Sequence, residues 1–113
     1  MWNRDEYFFF EVTAGGAVKT NVQHLISCLG EDINKAPQFR LGYDGHGPNE
    51  LAANILWLME VAEGDCKAYA SRFRDEVLHK LPREGGRLYK WELDEWIMSK
   101  VLERSHYYNS HAG

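Results

Sequence analysis

Residues 38–56 read Q-F-R-L-G-Y-D-G-H-G-P-N-E-L-A-A-N-I-L. The first six alternate as a strand does, Gly42, Gly45 and Gly47 crowd into six positions, and Pro48 follows. Glycine reaches backbone angles closed to other residues, so this density predicts a sharp turn. Proline has no backbone N–H and a fixed φ, which suits the first helical position. Gly47 is then the expected N-cap, and Glu50 falls at the third helical position, where the helix dipole favours a carboxylate. The stretch is expected to carry the backbone out of a sheet and into the main buried helix.

Two chemistries fit the turn. Free N–H groups at a helix N-terminus can meet a phosphate or carboxylate. Arg40, Gly45, His46, Gly47 and Asn49 are therefore the candidate ligand-binding residues, for a phosphate or nucleotide. The spacing is neither G-x-G-x-x-G nor G-x-x-x-x-G-K-[ST], and Asp44 and Glu50 put negative charge where an anion would sit. Alternatively, Asp44, His46 and Glu50 place carboxylates beside an imidazole, the pairing a hydrolase-like general base needs. No Ser or Thr lies in the turn, so a nucleophile would come from elsewhere. The plain structural reading is a solvated loop whose Asp44 closes an Asx-turn.

The same stretch resembles the central motif of a family of small prokaryotic and phage proteins with no assigned activity, F-x-W-G-Y-G-G-S-G-P-x-Q-L-A-x-x-I-L. Phe39, Gly42, Tyr43, Gly45, Gly47, Pro48, Leu51, Ala52, Ile55 and Leu56 match, whereas Leu41, Asp44, His46 and Glu50 depart. Downstream, F-x-x-E-V at Phe73 to Val77 and W-x-L at Trp91 to Leu93 extend the resemblance over most of the chain. It implies a fold and a phage or mobile-element lineage, and leaves the activity open.

Upstream of the turn, Tyr7, Phe8, Phe9, Phe10 and Val12 predict a strand buried on both faces. Ala14-Gly15-Gly16 predicts a hairpin back into residues 17–19. Thr20-Asn21-Val22-Gln23 fits a capping box, and Val22, Leu25, Ile26 and Leu29 share a face, so a helix is expected over 21–29, ended by Gly30. Downstream, Leu51, Ile55, Leu58, Met59 and Ala62 form an apolar stripe over 48–63. Gly64 as a stop and Asp65 as a new N-cap predict a second helix over 65–81 and a helical hairpin. Residues 88–93 read as a short strand or an extended link, and Asp94 as the N-cap of a last helix over 94–104, with Leu93 and Met98 as a hydrophobic staple. The fold class expected is α+β: a small antiparallel sheet, made of the N-terminal hairpin and the strand near 38–43, against about four helices. Residues 1–104 form one domain in this reading, and the polar 105–113 a frayed tail.

With 113 residues, 44% of them apolar and 13% aromatic, the chain can bury a core of its own. A net charge of −4 argues against direct nucleic-acid binding. Cys28 and Cys66 form no C-x-x-C pair and read as reduced thiols of a cytoplasmic protein. The start lacks a signal peptide's layout, and no stretch nears the ~20 apolar residues of a membrane span. The five histidines show no metal-ligand spacing, and no cofactor is implied. Arg72, Arg74, Lys80, Arg83, Arg87 and Lys90 are diluted by Asp75, Glu76 and Glu84, as on a mixed solvated face.

Four Trp and six Tyr exceed what so small a core can hide. Trp2, Trp57, Tyr89 and Tyr107 are expected to stay partly accessible. Tryptophan and tyrosine are enriched at interface hot spots, which makes Trp57, Tyr89, Trp91 and Trp96 candidate partner-binding residues. The structural alternative is that Trp91 and Trp96 pin the last helix. Lineage and surplus aromatics together favour a non-enzymatic module that binds a protein partner stoichiometrically, for example an anti-CRISPR-type inhibitor of a host or defence complex; a homo-oligomer is compatible with the same features.

Overall fold

Aromatic and β-branched residues favour strands, and Tyr7–Val12 forms the central strand, β1, of the sheet. The structure, a computed structural model, describes residues 4–28, 32–35, 37–42 and 46–102. β2 (Val18–Thr20) pairs antiparallel with one side of β1, Phe10 opposite Thr20. β3 (Gly85–Tyr89) pairs antiparallel with the other side, Phe10 opposite Gly86. The predicted β1–β2 hairpin is present, closed by the Thr13 N–H donating to the Ala17 carbonyl at 2.9 Å. Burial along β1 alternates. Phe8 and Phe10 enter the core with the helical side chains, Tyr7 and Phe9 stay half-buried, and Glu11 is exposed. The helices therefore cover one face of the sheet, and the expected burial of β1 on both faces is corrected to one.

The third strand is not the stretch near 38–43. Of its described residues only Arg40 forms a bridge, to Ala17, and the Leu41 N–H donates to the Gly16 carbonyl at 3.1 Å. The place beside β1 belongs to β3. Gly85 explains how: at φ +109° it passes so close to β1 that a Cβ there would fall onto the Phe10 carbonyl. Only glycine permits that approach.

Residues 21–28 do not form the expected helix. Thr20 Oγ1 accepts from the Val22 N–H at 3.1 Å, two residues on, rather than from the amide a capping box requires. Asn21 prolongs the sheet with its side chain: Oδ1 accepts the Phe9 N–H at 2.9 Å and Nδ2 donates to the Tyr7 carbonyl at 3.2 Å. The segment continues as an irregular strap, with Val22 and Ile26 buried.

Three α-helices form among the described residues, where about four were expected. α1 (His46–Leu58) begins two residues before Pro48. Proline is tolerated there because the first-turn N–H groups lack intrahelical partners. α1 also ends early. Glu60 takes φ +67°, and the Val61 N–H reaches the Leu56 carbonyl at 3.1 Å while the Glu60 N–H reaches Trp57 at 3.0 Å. These are the two bonds of a Schellman stop. Gly64 is therefore no stop and Asp65 no N-cap; both lie in the first turn of α2 (Glu63–Glu76), whose N-cap is Ala62. The predicted helical hairpin holds, across the link 59–62. A short 3-10 turn, Leu78–Lys80, takes up the rest of the predicted second helix. β3 then runs without a linker into α3 (Lys90–Ile97), capped by Tyr89, and the last turn widens into a π-helix at Met98–Leu102. Asp94 is mid-helix, and Met98 is exposed, so the expected N-cap and staple there do not form.

Candidate functional site

The densest polar chemistry sits where α1 meets the strap. Glu50 and Asn54 are four residues apart, hence on one helix face, and both are 0% exposed. Asn54 Oδ1 accepts the N–H groups of Leu25 and Ile26 at 2.6 and 2.9 Å, and Nδ2 donates to the carbonyls of Ile26 and Glu50 at 2.9 and 2.8 Å. Glu50 Oε1 accepts from Ser27 Oγ and the Cys28 N–H, both at 2.8 Å. Its Oε2 lies 3.0 Å from His24 Nε2, and the imidazole stacks on Phe39 with centroids 4.5 Å apart. An irregular segment cannot pair its own amides, and a buried unpaired amide is costly. Glu50 and Asn54 supply the missing partners.

Glu50 and Asn54 are enclosed and fully bonded, and with the half-buried His24 they clasp the strap to α1. The thiols beside them agree with that role. Burial, reinforced by the Glu50 charge and opposed by Lys67, pushes the Cys28 thiol up to about 11. Burial, followed by the Asp65 charge, pushes Cys66 up to about 12. Neither is the thiolate a nucleophile needs.

Of the residues named for a ligand at the turn, His46, Gly47 and Asn49 lie in the first turn of α1 and Arg40 on the segment bridged to Ala17. Asp44 and Gly45 lie outside the described residues. His46 opens α1 exposed to solvent, and Gly47 is buried. Asn49 Oδ1 accepts from Arg74 Nη1 at 2.8 Å, and Arg40 Nη1 donates to the Gly15 carbonyl at 2.8 Å. Glu50, named as a catalytic carboxylate with Asp44 and His46, is the clasp. Concave space opens elsewhere: two adjoining grooves of about 430 and 510 Å³ share Val12, Leu41, Gly42 and Arg83. Among the described residues, no group of three or more His, Cys, Asp or Glu could hold a metal ion.

The aromatic candidates divide in two. Trp57, at the end of α1, is 37% exposed, and Trp91, in the first turn of α3, is 43% exposed. Trp96 packs edge-on against Phe73 at 5.1 Å and donates Nε1–H to Glu76 Oε1 at 3.2 Å. Tyr89 is half-buried against Tyr7, with centroids 5.6 Å apart. Trp2 and Tyr107 lie outside the described residues, as does the tail 105–113. Sequence reasoning missed Leu25, 46% exposed on the strap, and Met98, 57% exposed and seven residues beyond Trp91. It also missed His24, Ser27 and Asn54. A signal for Asn54 was present: it lies four residues after Glu50 in the otherwise apolar run 51–56.

Fold and site together define a small α+β protein in which a polar clasp ties an irregular strap to the central helix, with apolar side chains presented at the ends of two helices. No protein-family model, curated protein or solved structure matches the chain. No helix among the described residues is long and apolar enough to cross a membrane.

Proposed function

We propose that this chain is a non-enzymatic module that acts by binding a protein partner stoichiometrically, of the kind phages and mobile elements use to occupy a host or defence complex. The observation that carries the reading is the exposed pair Trp91 and Met98, at 43% and 57%. Seven residues is close to two helical turns, so both side chains fall on one face of the last helix. Large exposed apolar groups are common singly, but a Trp and a Met on one face make an anchor of hot-spot type. The likeness of residues 39–56 to the phage and prokaryotic motif supports the lineage. The enclosure of Glu50 weighs against catalysis at the turn.

Affinity capture with the full chain tests this. A partner retained by the native protein should fall at least about tenfold with Trp91→Ala, the cost of losing an anchor, while the melting temperature stays unchanged. Equal retention by native and variant protein would remove the reading's support.

A second reading, a small-ligand binder, is favoured by the grooves at Gly42 and Arg83. It predicts a rise in melting temperature with a phosphate or nucleotide panel, and an Arg83→Ala variant should lose that rise.

A further inference from the structure

We propose that the outer edge of β3 receives an acidic, extended segment of the protein partner as a fourth strand of the sheet. The inference rests on the protein-binding reading and names the partner's chemistry. It starts from the ladder. The Val12 N–H donates to the Glu84 carbonyl and the Lys90 N–H to the Glu6 carbonyl, both at 2.9 Å. Antiparallel bonding alternates, so in the register Phe8–Leu88 and Phe10–Gly86 it is Gly86 and Leu88 that bond to β1. Arg87 and Tyr89 turn their backbone N–H groups the other way. β3 ends the strand order β2-β1-β3, so among the described residues no strand takes up those groups.

Such an edge is a template for strand addition. β3 carries no proline, and its only charged residue is Arg87. Charge selects the occupant. Arg83 and Arg87 stand against one anion, Glu84, over residues 83–89 of a chain whose net charge is −4. The Arg87 guanidinium lies over the Tyr7 ring, 4.7 Å from its centroid, and marks the open face of the sheet. On the other face, a Cβ at Gly86 would meet Leu81 and Pro82 at ordinary contact distance. A strand laid along this edge should therefore alternate, acidic beside Arg87 and apolar beside Gly86 and Leu88.

The test uses the full chain and the peptide acetyl-Thr-Glu-Val-Glu-Val-Glu-Thr-amide, followed by amide NMR. Adding it should shift and protect the Arg87 and Tyr89 amides, while the lysine counterpart of the peptide does not. Tyr89 has φ −74°, which proline can adopt. Tyr89→Pro therefore deletes one outward donor and leaves the β1 ladder intact. It should weaken peptide binding at least tenfold more than Tyr89→Ala, which keeps the donor. Arg87→Glu, which leaves the backbone alone, should reverse the preference between the two peptides and carries the test if Tyr89→Pro fails to fold. Three results would overturn the proposal: no binding at millimolar peptide, a response to a single-stranded thymidine oligonucleotide instead, or Arg87 and Tyr89 amides already protected in the free protein by residues 103–113 or a second copy. Partner capture that needs Trp91 but ignores Tyr89→Pro and Arg87→Glu would end this inference and leave the protein-binding reading standing.

Discussion

Glu60 shows how one residue sets a helix boundary at a cost. Its backbone lies in the left-handed region at φ +67°, and the two bonds it makes possible turn the chain from α1 towards α2. A side chain in that region costs roughly 1–2 kcal/mol, whereas glycine's extra freedom in the unfolded chain costs about 0.5–1 kcal/mol. The first effect exceeds the second, and the Glu60 side chain is exposed, with little packing to lose. Glu60→Gly should therefore raise stability by about 0.5–1 kcal/mol, read as a higher urea midpoint at unchanged slope. A lower midpoint would mean that the Glu60 side chain does work for the fold beyond closing the helix. Sequence reading placed this stop at Gly64, because glycine is the usual residue at such a turn. The true stop was hidden by a residue with no preference for it.

At the scale of elements, α2 and the α3 segment are joined through Glu76. Its carboxylate accepts from Arg72 Nε at 2.6 Å and from Trp96 Nε1 at 3.2 Å, and Lys100 Nζ lies 3.9 Å away. The Arg72 hydrogen bond first, and then that from Trp96, holds its carboxyl below the usual value of 4.5. A carboxylate with a lowered folded value stabilises the fold above its unfolded value and loses that contribution as pH falls through the folded one. Acidification from ~5 to ~3 should therefore loosen the α2–α3 contact, followed by the Trp96 indole N–H resonance. Glu76→Gln should remove the pH dependence of that resonance. A resonance equally steady in the native protein over this range would contradict the link.

Elements were legible where one signal dominated. The first part of the apolar stripe, Leu51 to Leu58, lies in α1, and the aromatic run Tyr7 to Phe10 lies in β1. β3 was hard to see because two of its five residues are glycine, a poor strand former, present here for the close pass against Phe10. α3 starts before its apparent N-cap because the Lys90 N–H is already bound by the Glu6 carbonyl as the strand ends. The exposure of Trp57 was legible from the aromatic surplus, whereas that of Trp91 was not among the expected accessible positions, and the packing of Trp96 depends on Phe73 and Glu76, distant in sequence.

For the molecule as a whole, the decisive step is the override of local preference on the strap. Residues 21–29 carry a capping pattern and a helical stripe, and in isolation they favour a helix. Tertiary bonds from α1 outbid that preference. Three strap amides and the Ser27 hydroxyl are answered by two side chains that are wholly out of water. Leaving several such groups unsatisfied would cost about 1–3 kcal/mol each. The clasp also fixes the position of Leu25 and of the last turns of α1, where Trp57 is exposed. Its members come from opposite sides of the glycine turn, which is why neither stretch disclosed it alone.

Native-state hydrogen exchange at Leu25, Ile26 and Cys28 tests that clasp most directly. Although they lie outside any helix or strand, these amides should exchange as slowly as core amides of α1. Asn54→Ala should release Leu25 and Ile26, with a loss of about 3–4 kcal/mol in global stability as buried amides go unanswered. Exchange in the native protein as fast as at Ala14 or Gly15 in the exposed hairpin turn, or an Asn54→Ala protein as stable as the native one, would contradict the account.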